Sequence, residues 1–239
     1  MKKRGLGHVE AILSFVLFIG FLIFAFFFFN PFQSNRTLDS TLFYAFDEIA
    51  DNASIAMESY SVVVNETMPN VVGINLNPTI PMPFLKFRVE DINGAMLPYN
   101  LANNNIFFQR GSNRFIIVRF ADDLQPCFLT NCLTLGGGEP VLSGENYSVS
   151  SSEKKEIFSE IRILALNNTY YTNYNSLKNE FNLPSRTDFG FRFVLNDTYA
   201  IIGEREVPEG LEVLSKNERV EVVRGNGDIV FADFVVKVW

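Results

Sequence analysis

The sequence predicts an α+β fold, with an N-terminal transmembrane helix and an amphipathic helix leading into a β-rich extracytoplasmic head. The head is expected to be antiparallel, open to a sandwich arrangement, and to carry one packed helix. Three observations predict this. An uncharged apolar run extends from Ala11 to Phe29. Apolar residues then recur at helical spacing as far as Tyr60. Beyond Ser61 the chain breaks into short β-branched and aromatic runs divided by turn residues.

Residues 1–10 form a basic leader with Lys2, Lys3 and Arg4 ahead of the apolar run. The run, residues 11–29, would span roughly 28 Å as a helix at ~1.5 Å per residue, close to the thickness of a bilayer's hydrocarbon core. It is longer than the ~7–15 apolar residues of a cleavable signal peptide. It also ends in Phe26–Phe29, Asn30, Pro31 and Phe32, without the small residues that such cleavage needs. The expectation is a single-pass protein of the cell membrane, its basic end cytoplasmic and its head outside.

Pro31 should end the first helix, with a short polar link after it. Residues 37–60 then place Leu38, Leu42, Ala45, Ile49, Ala53, Ala56 and Tyr60 on one helical face, opposite Asp39, Asp47, Glu48 and Asp51. The head is expected over residues 61–239. Strand-like runs lie near Val62, Val71, Phe87, Ile106 and Phe115, and again near Phe189, Tyr199, Val220 and Val230. Residues 110–113 read as a hairpin turn, and Asn226-Gly227 reads as a type I′ hairpin. Ile163, Leu166, Tyr170, Tyr174, Leu177 and Phe181 form the stripe of a packed helix.

Composition narrows the function. The chain has 239 residues, 47% of them hydrophobic, and a net charge of −7. The acidic body offers nothing to neutralise phosphates, so no nucleic-acid partner is expected. The one histidine, His8, precedes the apolar run, leaving the head without an imidazole base or metal ligand. Asp122/Asp123, Glu156/Glu160 and Asp47/Asp51 have the spacing of ordinary solvated acids. The glycines at 136–138 lack the Lys-Ser/Thr of a phosphate loop. No enzyme activity, cofactor or metal is expected. Cys127 and Cys132 are spaced for a small-loop disulfide, on the order of 2 kcal/mol in an oxidising compartment, or are two free thiols. Asn35, Asn52, Asn65, Asn146, Asn167 and Asn196 each open an N-x-S/T triplet and are candidate glycosylation sites.

The basic residues, Gly5, Leu6 and Glu10, followed by an apolar helix, resemble the class III signal sequence of archaeal type IV pilin-like and pseudopilin proteins. The resemblance covers residues 1–32, with weaker support to about residue 60. It implies that a prepilin-type peptidase cuts between Gly5 and Leu6, and that the apolar helix remains as the core of an assembly. Glu10 then falls at mature position five, where it would pair with the α-amino group of an adjacent subunit. The implied function is a pilin-like structural subunit at the cell surface, its partners a lipid membrane, the peptidase and other pilin-like subunits. The alternative is an unprocessed single-pass protein whose head binds a partner or ligand.

Overall fold

The computed structural model describes residues 6–28, 32–76, 86–125 and 132–239. The helices are α1 (Leu6–Phe28), α2 (Phe32–Ala53), α3 (Glu160–Thr172) and α4 (Tyr174–Glu180). The strands are β1 (Ser54–Val64), β2 (Val71–Ile74), β3 (Phe87–Asp91), β4 (Tyr99–Ala102), β5 (Asn105–Gln109), β6 (Phe115–Phe120), β7 (Tyr147–Ser159), β8 (Phe189–Asn196), β9 (Tyr199–Gly203), β10 (Leu214–Val223) and β11 (Ile229–Val238).

Eight strands form one sheet in the order β3-β6-β1-β7-β10-β11-β8-β9, and β2-β5-β4 form a second. The large sheet has two halves joined at a narrow seam. There β7 runs parallel to β10 and pairs with it only at Phe158–Val222 and Ser159–Val223. One half faces the small sheet across a core that includes Val62, Val64, Ile74, Val89, Phe108, Ile116 and Val118. This is the sandwich arrangement that the sequence left open. The other half is covered by α2, α3 and α4 over Leu42, Ile49, Ile163, Phe181, Phe191, Phe234 and Val236.

Local chemistry accounts for much of this. Alternate residues of β1, among them Ile55, Met57, Val62 and Val64, are buried, as period-2 packing requires. Ser159 caps α3, its side chain accepting a hydrogen bond from the Arg162 N–H. The chain end is held by reciprocal backbone bonds between Asp188 and Trp239, at 2.8 and 3.0 Å. The Tyr174 hydroxyl and the Lys178 Nζ both donate to Asp188 Oδ1 at 2.9 Å.

The expected fold class and localisation are corrected by this architecture. Strand outweighs helix, so the chain is mostly β rather than α+β. Among the described residues no helix is long and apolar enough to cross a membrane. The single-pass placement, with a cytoplasmic end and an outward head, loses its basis.

Smaller corrections have plain causes. The polar link after Pro31 is helical, because α2 already begins at Phe32. The amphipathic helix stops at Ala53, not at residue 60. Residues 54–64 instead pair with β6 on one side and β7 on the other, and two ladders outweigh a helical stripe. The packed helix is broken at Asn173 into α3 and α4. Residues 110–113 connect strands of different sheets and form no hairpin. The Asn226-Gly227 hairpin exists between β10 and β11, but only Gly227 has positive φ, 88°. Its loop is therefore not type I′. The paired positive φ values fall instead at Asn103 (50°) and Asn104 (61°), between β4 and β5.

Candidate assembly surface

The strongest candidate surface is α1. Unlike α2, which turns Leu42, Ala45, Phe46 and Ile49 onto the sheet, α1 has no polar face along its apolar stretch. Ile12, Leu13, Phe15, Val16, Leu17, Phe18, Phe21 and Ile23 are all exposed, between 57 and 67%. These residues surround the helix axis at 100° per residue, so the apolar surface is a full cylinder rather than a stripe. Glu10 stands exposed at its start. Leu6 is the first residue of the helix, and Gly5 lies outside the described residues.

The sequons are scattered over the structure. Asn35 lies in α2, and Asn52 near its end, donating through Nδ2 to the Glu48 carbonyl at 2.9 Å. Asn65 follows the end of β1 and Asn196 closes β8, both exposed, and each accepts a hydrogen bond from the hydroxyl of its own threonine, at 3.2 and 2.9 Å. Asn146 sits beside Asn65 through a backbone bond of 2.9 Å, and Asn167 lies within α3. Cys132 is disulfide-bonded, and Cys127 lies outside the described residues.

Members of the three acid pairs meet at one cavity, where Asp51 and Glu156 line the wall with Ser54 and Arg162, and Asp123 pairs with that arginine. Asp123 accepts from the Ser159 hydroxyl at 2.7 Å and pairs with Arg162 at 3.2 Å, a latch between the end of β6 and the start of α3. Among the described residues no three His, Cys, Asp or Glu side chains are grouped as a metal site. The glycines at 136–138 point their backbone N–H groups at the Glu139 carboxylate, which holds its carboxyl below the usual range. The nest is thus filled by its own neighbour.

Sequence reasoning missed the buried ionic group centred on Glu90. Arg88 Nε lies 2.6 Å from one of its oxygens and Arg119 2.6 Å from the other. Arg88 also donates to Asp228 at 2.9 Å and to the Asn226 carbonyl at 2.7 Å. The closest signal in sequence was the charge alternation Arg88-Val89-Glu90, which looks like any solvated strand face. Burial pushes the Glu90 carboxyl up, against the pull of both arginines.

Three other carboxyls are held low. Burial opposes ionisation at Asp188, Glu204 and Asp228. Lys178 and Tyr174 outweigh it at the first, Lys237 and Arg192 at the second, and Arg88 and Asn226 at the third. A depressed folded-state pKa gives stability that is present above the unfolded value and lost as pH falls through the folded value. These three groups should make thermal melts decline as pH falls below about 4, while Glu90, pushed up by burial, acts in the opposite direction as pH rises. The Asp188→Asn variant should show a shallower decline, and equal acid sensitivity in variant and parent would disprove the assignment.

No family model matches the chain, and neither does any curated protein or solved structure.

Proposed function

We propose that this chain is a pilin-like structural subunit, processed between Gly5 and Leu6 by a prepilin-type peptidase and assembled with other copies through α1. The observation that carries the reading is the apolar cylinder of α1, exposed from Ile12 to Ile23. Removing one such side chain from water is worth about 1.5–3 kcal/mol, so a surface of this size favours any arrangement that covers it. Parallel copies of the same helix cover it on all sides, which a single flat partner does not. Glu10 then sets the axial register, since a carboxylate surrounded by apolar helices is stable only beside a cation such as a neighbour's α-amino group.

The test has two arms. The mature protein from its own organism should have an intact mass that begins at Leu6, and Gly5→Val should accumulate precursor; an unprocessed Met1 start would overturn the processing step. Leu17→Glu with Phe18→Glu should convert large assemblies to small ones by sedimentation velocity. Unchanged assembly size in that variant would overturn the role of α1.

A further inference from the structure

Among the described strands of the large sheet one pair is parallel, β7 with β10, and both strands end at the same place. β7 gives way to α3 after Ser159, and β10 to a turn after Val223, the residue paired with Ser159. One chain passes onto the face of the sheet and the other turns back along it, which opens a crevice between them. Ligands commonly use such crevices at the carboxyl ends of parallel strands. The cleft here has a volume of about 550 Å³. Four segments far apart in the chain build its wall: Gln125 beyond β6, Glu160 of α3, Asn196 and Tyr199 of the β8–β9 hairpin, and Arg224 with Gly225 after β10.

Arg224 is the unsatisfied member of this wall. Its side chain is half-buried, and its Nε is shut off from water without a hydrogen-bond partner. Among the described residues it enters no ion pair, whereas Arg88, Arg119, Arg162 and Arg192 each meet a carboxylate. Asp228 feels its charge but is bonded to Arg88 and Asn226. A desolvated cation in this condition costs free energy that an anion entering the cleft recovers. The rest of the wall is amide, hydroxyl and ring. Asn196 Oδ1 accepts from the Thr198 N–H at 3.0 Å and hydroxyl at 2.9 Å, which fixes the amide and leaves Nδ2 for the cleft. Gln125 is clamped through its N–H to the Gly225 carbonyl at 3.1 Å. Its side-chain amide lies against Gly225, where a Cβ would crowd Nε2 at 3.2 Å. Tyr199 is 36% exposed, and its hydroxyl bonds Glu160.

We propose that this cleft binds a carboxylate-bearing sugar. Arg224 pairs with the carboxylate, the Gln125 and Asn196 amides bond hydroxyls, and the Tyr199 ring covers an apolar face of the pyranose. This goes beyond the α1 reading and does not depend on it. The wall is poorly matched to other ligands. A phosphate is held by several cations or by a run of backbone N–H groups, whereas here one arginine stands among neutral amides. Glu160 lies in the same wall and repels a dianion, but it accepts a hydroxyl from a singly charged sugar. A purely apolar ligand would strand Arg224, Gln125 and Asn196 away from water. Two sources present such a sugar: a saccharide in solution, and a glycan on Asn196, which opens the triplet Asn196-Asp197-Thr198.

The test titrates the full chain, made in a host that adds no glycan, with methyl β-D-glucuronide and methyl β-D-glucoside, which differ only in the carboxylate. Inorganic phosphate is the third probe, and binding is read from the amide shifts of Gly225 and Asn226. The glucuronide should bind about tenfold more tightly than either of the others, and less tightly as salt rises. Arg224→Gln should abolish that preference without lowering the melting temperature, because the guanidinium has no ion pair in the chain to lose. A purely structural arginine would lower it. Arg224→Lys keeps the charge without the planar fork and should retain an intermediate preference. Equal affinity for the glucoside, tighter binding of phosphate, a preference unaltered in Arg224→Gln, or no glucuronide binding at all overturns the proposal. Protein from its own organism separates the two sources. Glucuronide binding equal to that of the host-made chain assigns the sugar to solution. An added mass on the peptide that holds Asn196, with binding restored only in Thr198→Val, assigns it to a glycan. Loss of assembly in the α1 variant with glucuronide binding intact would separate this site from the α1 surface.

Discussion

Phe234→Ala is expected to lower the stability of the head by about 3–5 kcal/mol. Phe234 is fully buried in β11, and its ring stacks on Phe193 of β8 at 4.3 Å with only 8° between the planes. Phe46 of α2 lies 4.4 Å away and Phe158 of β7 5.4 Å away. One ring thus joins the covering helix to three strands, including the strand at the seam between the two halves. Truncation loses the transfer free energy of the ring and leaves a cavity that four separately anchored elements are poorly placed to fill. Phe234→Leu keeps much of the volume and should cost about 1–2 kcal/mol. The single tryptophan, Trp239, is buried and bonded to Asp188, so its fluorescence in urea reports this half directly. A loss below about 1 kcal/mol for Phe234→Ala would mean that the ring cluster is not a keystone of the core.

How far the sequence revealed this fold depended on whether the deciding interaction was local. The strand runs around Val62, Phe108, Phe193 and Val236 were legible because alternation and β-branched residues are local signals. The boundary at Ala53–Ser54 was not. Ala53, Ala56 and Tyr60 keep helical spacing while Ile55, Met57 and Val62 fit a strand, and only pairing with β6 and β7 decides between them. β4 was missed because it has four residues and depends on the Asn103-Asn104 turn for its pairing. The apolar character of α1 was plain in sequence, but the membrane assignment extrapolated it beyond what the described helix supports. The place of β9 at the end of the large sheet was illegible for a different reason. Tyr199–Gly203 reads as an ordinary strand, and nothing in its residues says that it comes last in the sheet. The same holds for Glu90, whose burial follows from β6 beside it and from a hairpin 138 residues beyond Arg88.

That burial sets up the second large effect, at Glu90→Ala. Glu90 is 1% exposed and bridges Arg88 and Arg119, of which Arg88 is itself buried. Removing one member of a buried ionic group leaves the others desolvated without compensation, at a cost of about 3–5 kcal/mol. Arg88 retains Asp228 and the Asn226 carbonyl, so the greater share of the damage should fall on β3 and β6 rather than on the hairpin. Glu90→Gln keeps the shape and loses the charge, which should place it between the parent and the alanine variant. The informative comparison is the double variant Arg88→Met, Glu90→Leu. Replacing the buried pair by apolar groups of similar volume is often neutral or favourable, so it should recover more than half of the loss. Asp228, half-exposed, returns to water at little cost, but the hairpin loses its tie to β3. The double variant should therefore be as stable in urea as its core permits, while amide exchange at Gly227 and Asp228 becomes faster. If Glu90→Ala alone is neutral, the ionic group makes no net contribution. If the double variant is no better than Glu90→Ala, the tie to the hairpin, rather than the buried charge, holds this end of the sandwich together.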